Sequence, residues 1–137
     1  NLAFGGYNKV FAPNRTDFDW IAAEAQAVDR YIADPQCGQP ATVGLFSDML
    51  HGFHFNQSRT NLAKMDPSTP ILLISGSDDP VGAMGRGVEK TRRASLRAGV
   101  RDVEMILCPG LRHEILNEPS ASEAADAPIL RWLEAHL

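Results

Sequence analysis

Two residues of this sequence combine a carboxylate and an imidazole in a pattern that favours proton transfer. Asp79 ends the stretch Gly76-Ser77-Asp78-Asp79, and His113 stands before Glu114. An aspartate that accepts the N–H of an imidazole fixes its tautomer and stabilises the imidazolium when the ring takes a proton. The pair therefore predicts an acid–base site, whose third member would be a nucleophile. Asp78 is the adjacent rival, but the Gly-x-x-Asp spacing favours Asp79.

The elements that would position this pair are two strands. The stretch Pro70 to Ser75 is continuously apolar, as expected for a strand buried on both faces, and Val103 to Cys108 alternates like a second strand. Between them, Gly87 to Ala98 is predicted as a helix closed by Gly99 in a left-handed conformation. Strand, helix and strand in this order form a parallel pair, so Asp79 and His113, 34 residues apart, should meet at one edge of the sheet.

The remaining chain has helical patterning. Helices are predicted over Asp17 to Asp34 and Ala41 to Phe55, and the second carries an apolar stripe at i, i+3, i+4 and i+7, formed by Phe46, Met49, Leu50 and Phe53. Near the end, Ser120 to Glu123 has the spacing of a capping box, which predicts the start of a last helix. Pro128 predicts a kink or a restart in that helix.

Two parallel strands are too few for a stable sheet, because the edge of the first strand would remain uncovered. The chain also begins with Asn1, and its Met residues lie only at positions 49, 65, 84 and 105. We therefore expect the chain to be the carboxyl-terminal half of a larger doubly wound α/β protein. Its expected partners are the amino-terminal half of the same protein or a second copy, paired through the uncovered edge.

Composition excludes several classes. A net charge of −4 and 44% hydrophobic residues describe an ordinary folded chain rather than a disordered or fibrous one. The acidic balance argues against a nucleic-acid partner, and the basic residues between Arg86 and Arg101 are typical of a solvated helix face. The longest apolar run, Ile71 to Ile74, is far shorter than the roughly 18 residues of a membrane-spanning helix.

No motif indicates a metal or a cofactor. Cys37 and Cys108 form neither a C-x-x-C pair nor a disulfide framework, and together with the lack of a secretory signal they favour a cytoplasmic setting. His51 and His54 have helical spacing but no suitably spaced third ligand. The glycines at 82, 85 and 87 do not match a dinucleotide-binding order, and no acid follows that would hold a ribose.

Three stretches resemble the carboxyl-terminal half of a known family. These are residues 8–34, the run Ile-Leu-Leu-Ile-Ser-Gly-Ser-Asp-Asp-Pro-Val-Gly at 71–82, and Pro-Gly-Leu-Arg-His-Glu-Ile-Leu-Asn-Glu at 109–118. They are similar to α/β-hydrolases of the monoacylglycerol lipase and lysophospholipase-like group. The resemblance implies a Ser-His-Asp triad with Asp79 as acid and His113 as base, no cofactor, and a small acyl-ester or lipid-like substrate.

The same resemblance implies how the chain is divided. Residues 1–65 would form a helical cap, and residues 66–137 would form the last strand-helix-strand-helix units of a partial α/β-hydrolase core. The apolar stripe Phe46, Met49, Leu50 and Phe53 would then line the acyl pocket.

The nucleophile is where the sequence departs from the family pattern. The family's serine lies in Gly-x-Ser-x-Gly, and none of the eight serines here has glycine two positions before it. We expect the nucleophile and the oxyanion hole upstream, and the chain alone to be inactive. Two alternatives remain: an Asp nucleophile, as in epoxide and haloalkane hydrolases, and a non-catalytic binding module on the same scaffold.

Overall fold

The computed structural model describes residues 5–137, and residues 1–4 of the predicted cap lie outside the described residues. The strands are β1 (Ile71–Gly76) and β2 (Val103–Cys108). A 3-10 helix, Tyr7–Phe11, comes first, and a π-helix, Ser122–Asp126, leads into the last α-helix. The α-helices are α1 (Ala25–Ala33), α2 (Val43–Gln57), α3 (Arg59–Leu62), α4 (Arg86–Ala98) and α5 (Ala127–Ala135).

The two strands pair in parallel, as the sequence predicts. Ile71 lies opposite Val103, and the register continues to Gly76 opposite Cys108. The predicted bounds of β2 are correct, and β1 begins and ends one residue later than expected. Within residues 5–137 the sheet has only these two strands, and α4 connects them. The α/β class is therefore confirmed.

The expectation that β1 is buried on both faces is wrong for the described residues. Ile71 to Ser75 are only half-buried, and Gly76 alone is buried. The reason is that β1 has a strand neighbour on one side only in this part of the chain. The apolar run is typical of a central strand, but among the described residues β1 is an edge strand.

Helix α4 is bounded by two glycines with left-handed backbone. Gly85 precedes it with φ of 81°, and Gly99 follows it with φ of 106°. The amide of Gly99 donates to the carbonyl of Leu96, so the predicted left-handed cap is confirmed. Arg92 also donates from Nε to the carbonyl of Val103, which ties the helix to β2 at 3.2 Å.

The predicted helix over Asp17 to Asp34 is too long, because α1 begins only at Ala25. The carboxylate of Asp19 accepts hydrogen bonds from the amides of Arg15 and Thr16 and from the Thr16 hydroxyl. These bonds hold the preceding chain in a turn, since a short acidic side chain competes with helical hydrogen bonding. A small core is formed by Ile21 and Ala22, which follow this turn, and by Ala27 and Val28 of α1.

The capping box predicted at Ser120 to Glu123 is not formed as expected. The amide of Ser120 donates to Oε1 of Glu24, 96 residues earlier, rather than to Glu123. The chain then forms the π-helix, and α5 begins at Ala127, immediately before Pro128. The predicted restart near Pro128 is therefore confirmed.

A second core holds the end of the chain against the sheet. Its buried members are Cys108, Leu111, Ile115 and Ala125. The thiol of Cys108 donates to the carbonyl of Ala124 at 2.9 Å, so the π-helix is fixed directly to the end of β2.

Gly76 marks the closest approach between the two strand-end loops. A Cβ atom at this position would lie 2.1 Å from the carbonyl oxygen of Leu111 and 2.2 Å from that of Arg112. Both neighbours are backbone atoms, which cannot rotate away. Only glycine therefore lets the loop after β2 cross the end of β1.

Gly76→Ala should destabilise the protein. We expect the free energy of unfolding to fall by about 1–3 kcal/mol, because the added methyl must displace backbone. Urea denaturation followed by circular dichroism measures the change. Gly6→Ala is the matched control, since its φ of −90° suits alanine and no atom lies within 4 Å of the new Cβ. Equal midpoints for Gly76→Ala and the unsubstituted protein would contradict this close approach.

Candidate active site

Asp79 lies in the turn between β1 and α4 and is 6% exposed. Its Oδ1 accepts a hydrogen bond from the amide of Val81 at 2.9 Å, and its carbonyl accepts one from the amide of Met84 at 2.8 Å. Burial acts to raise the pKa of Asp79, but hydrogen bonds from His113 and from the amides of Val81 and Gly82 bring the pKa below its ordinary value. The buried carboxylate is therefore held as an anion.

His113 lies in the loop after β2, and its Nδ1 is 3.3 Å from Oδ1 of Asp79. The hydrogen bond with Asp79 raises the pKa of His113, against the effect of partial burial, and the charge of Glu114 adds to the increase. When Nδ1 carries the proton that faces Asp79, the lone pair of the neutral ring is on Nε2. The His113 side chain is 39% exposed, so the ring is accessible from solvent.

Asp78 does not share this arrangement. Its Oδ1 accepts a hydrogen bond from the hydroxyl of Ser77 at 2.8 Å, and that hydroxyl accepts one from the amide of Gly110 at 2.9 Å. Ser77 and Asp78 thus fasten the two strand-end loops together. The structure brings His113 to Asp79, the residue that the spacing favoured.

The ring of His113 also contacts an aromatic side chain from the first part of the chain. The centroids of the Trp20 and His113 rings are 5.3 Å apart, and the two planes are inclined by 36°. Trp20 is held in turn by Asn8, whose Oδ1 accepts the Trp20 amide hydrogen bond at 3.0 Å. Residues before α1 therefore form one wall beside His113.

Arg112 ties the same two regions together next to His113. Its guanidinium donates to the carbonyls of Asp19 and Ala22 and lies 3.8 Å from the centre of the Phe11 ring. Sequence reasoning assigned no role to Trp20 or Arg112. Their partners are aromatic faces and backbone carbonyls far away in the chain, which leave no spacing signature.

The four residues predicted to line a pocket lie together on α2, but the described residues do not enclose them. Phe46 is half-buried, whereas Met49, Leu50 and Phe53 are 36%, 62% and 49% exposed. Val43, Leu45 and Phe55 are exposed on the same helix. The role of this stripe stays a prediction.

Three surface cavities lie elsewhere in the described residues. Cavities of about 580 and 690 Å³ run along α4 and β2, and one of about 190 Å³ lies between residues 11–28 and Arg112. Neither Asp79 nor His113 lines any of them. Across residues 5–137, no three His, Cys, Asp or Glu side chains cluster closely enough to hold a metal. No helix in the same range is long and apolar enough to cross a membrane.

Comparison with known proteins decides the family. The model of the Hydrolase_4 family, described as serine aminopeptidase S33, matches residues 4–120. The chain belongs to the S33 hydrolase family. As S33 hydrolases have the α/β-hydrolase fold, the family resemblance seen in the sequence is confirmed.

Two solved structures are similar to this S33 hydrolase chain. One is a highly thermostable carboxyl esterase from Bacillus coagulans in complex with glycerol, with a TM-score of 0.86 and 24% identity over 96% of this chain. The other is a lipase in an open form, with a TM-score of 0.76 and 26% identity over 93% of this chain. In both cases the match covers 43% of the solved chain. The chain thus spans less than half the length of these hydrolases, and it shares their α/β fold over that part.

Titration should show that His113 in this S33 hydrolase is coupled to Asp79. We expect the pKa of His113 to lie above its ordinary value near 6.5, and Asp79→Asn to lower it, because the neutral amide no longer stabilises the imidazolium. Proton and nitrogen NMR of the histidine rings measures both values. Asp78→Asn is the matched control and should leave the His113 titration unchanged, since Asp78 bonds to Ser77.

The same contact makes stability depend on pH with a definite sign. The folded-state pKa of His113 is raised, so, as long as Asp79 is ionised, the contact contributes stability that is fully present below the unfolded-state pKa of His113 near 6.5. That contribution is lost as the pH rises through the folded-state pKa.

A His113 pKa that is equal in the unsubstituted protein and in Asp79→Asn would contradict the coupling.

Proposed function

We propose that the full-length protein is a serine hydrolase that cleaves carboxylic esters, with Asp79 and His113 as two members of its triad. The observation that carries the proposal is the 3.3 Å contact between Nδ1 of His113 and the buried carboxylate of Asp79. These residues follow adjacent parallel strands, where open α/β sheets bind their ligands. The chain's membership of the S33 hydrolase family supports the same chemistry.

The proposed mechanism assigns each proton. His113 takes the serine hydroxyl proton on Nε2 while Asp79 holds Nδ1–H, and the serine oxygen attacks the ester carbonyl. The tetrahedral intermediate collapses as His113 gives that proton to the leaving alcohol, which forms an acyl-enzyme. Water, deprotonated by His113, then releases the carboxylic acid and returns the serine.

The nucleophile is proposed to lie outside residues 1–137. The chain spans 43% of each similar hydrolase, and none of its serines has the Gly-x-Ser-x-Gly surroundings of a strained strand-to-helix turn. On this proposal residues 1–137 alone are inactive, and the free edge of β1 pairs with a strand from the rest of the protein. In the isolated chain that edge would pair between copies, which light scattering would detect as self-association.

The proposed substrate is an acylglycerol or a lysophospholipid-like ester. In this proposal residues 1–65 act as a cap and residues 66–137 as part of the core. The apolar stripe of α2, formed by half-buried Phe46 and exposed Met49, Leu50 and Phe53, then closes over the acyl chain. The lipase that is 26% identical to this chain supports a lipid ester.

Replacing either proposed triad residue should remove most activity of the full-length protein. We expect Asp79→Asn and His113→Ala each to lower kcat by about 10³–10⁴-fold with KM little changed, because both residues act on the transition state. Hydrolysis of aryl and monoacylglycerol esters measures this. Asp78→Asn is the matched control and should stay within twofold of the unsubstituted enzyme.

Several results would contradict these assignments. Unchanged esterase activity in both Asp79→Asn and His113→Ala would remove the proposed triad. Turnover by residues 1–137 alone that His113→Ala suppresses would place the nucleophile inside this chain. A fluorophosphonate probe labels an activated serine, so an active enzyme that resists the probe would favour the alternative with an Asp nucleophile.

Acyl-chain dependence tests the proposed pocket on α2. Phe53→Ala should raise KM for a dodecanoyl ester by about tenfold and barely change KM for an acetyl ester, because only the long chain would lose a buried aromatic contact. Phe55→Ala is the matched control: it is also exposed, but it lies two residues further along α2 and so on a different side. Equal effects of the two substitutions on both esters would remove the stripe from the pocket.

A further inference from the structure

Glu118 is a buried carboxylate for which no sequence pattern predicts a role. It lies in the loop after β2, five residues beyond His113, and is 3% exposed. Its Oε2 accepts hydrogen bonds from the amides of Ala23 and Glu24, both at 2.9 Å, and its Oε1 accepts one from the amide of Arg112 at 3.3 Å. A buried carboxylate is costly unless it is hydrogen-bonded, and here three N–H groups surround it.

These bonds fix the backbone on one side of His113, and another bond fixes the other side. The amide of Arg112, just before His113, donates to Glu118, and the amide of Glu114, just after it, donates to the carbonyl of Ile21 at 2.8 Å. Since Glu118 also binds the amides of residues 23 and 24, both tethers lead to the segment 21–24. The backbone on both sides of His113 is thus hydrogen-bonded, through Glu118 or directly, to the same segment 21–24.

The chemistry of the contact requires a carboxylate. Two amide donors converge on Oε2, and a third donor reaches Oε1, so both oxygens must act as acceptors. A glutamine has one acceptor oxygen, and its NH₂ group would face N–H donors at one of the two positions. The two amides at residues 23 and 24 also precede α1, where the positive end of a helix favours an anion.

We propose that Glu118 is a positioning residue that holds His113 against Asp79. Its single carboxylate accepts hydrogen bonds from the amide of Arg112 and from the amides of residues 23 and 24, and so joins the two segments. This role rests on the proposed hydrolase function, because it acts through His113. The Asp79–His113 contact is 3.3 Å long, and a displacement of about 1 Å at a reacting group is enough to cost about 10²-fold in rate. Glu118 would keep the loop from moving by that amount.

The test compares Glu118→Gln with Glu24→Gln in the full-length protein, with a monoacylglycerol ester as substrate. Glu118→Gln should lower kcat by about 10–100-fold and leave KM within twofold. Glu24→Gln is the matched control, because its half-buried carboxylate joins the same two segments through the Ser120 amide but touches neither neighbour of His113. It should keep the kcat of the unsubstituted enzyme.

The pH profile of kcat/KM separates positioning from a general loss of structure. Asp79 and Glu114 are the charged groups that raise the pKa of His113, and both remain in each variant. If Glu118→Gln loosens the contact between His113 and Asp79, the pKa of His113 falls. The acid limb of the profile, where activity rises as His113 loses its proton, then moves to lower pH. A variant that is only less stable would lose active enzyme without moving the limb.

The outcomes are distinct. An acid limb that stays in place in Glu118→Gln, with or without a lower kcat, overturns the positioning role. If Glu118→Gln fails to fold by circular dichroism, Glu118→Asp replaces it; its carboxylate is one methylene shorter, so an unchanged kcat and acid limb there overturn the role. Full activity of His113→Ala overturns the proposed function itself. Loss of activity in His113→Ala with unchanged Glu118 variants overturns only the role of Glu118.

Discussion

The parallel register of β1 and β2 is the constraint on which the candidate site depends. Gly76 lies opposite Cys108, so both strands end at the same level and their loops leave side by side. The amide of Ser77 donates to the carbonyl of Cys108 at 2.9 Å, and that of Asp78 donates to the carbonyl of Leu111 at 3.0 Å. The hydrogen-bonded ladder thus continues past the strands into the loops. Without this continuation Asp79 and His113 would share an edge of the sheet but not a contact.

Buried negative charge is used in two different ways around His113. Asp79 faces the imidazole and two backbone amides, and Glu118 faces three amides and, among residues 5–137, no cation within hydrogen-bonding distance. The first carboxylate raises the proton affinity of the ring directly, whereas the second is proposed to act on that affinity only through the position of the ring. Hydrogen bonds to an ionised group contribute about 1.5–3 kcal/mol each, enough to offset much of the desolvation of a carboxylate. Both anions are therefore compatible with burial.

The parts of the fold that could be predicted are those set by local pattern. The alternation of Val103 to Cys108 and the glycine at 99 depend on neighbouring residues, and the structure matches them. The pairing of Asp79 with His113 followed from topology, since parallel strands place their following loops together. These predictions use only the order and spacing of residues along the chain, and they do not depend on side-chain packing.

The parts that could not be predicted depend on partners far away in the chain. Asp19 shortens α1 because it captures amides at 15 and 16, and Ser120 bonds to Glu24 instead of Glu123. Glu118 belongs to no recognisable spacing pattern, because its partners are backbone amides, which every residue except proline possesses. The apolar run of β1 indicated full burial, yet burial depends on which strands lie beside it.

The bonds between Glu118 and the residues before α1 join positions 94 and 95 residues apart. Contacts of such long sequence separation are entropically expensive to close and slow the folding of a domain. During synthesis, the amides of Ala23 and Glu24, just before α1, therefore find their acceptor only after Glu118 has been added to the chain. The histidine loop and the residues just before α1 can therefore support each other only after both segments are present and have met.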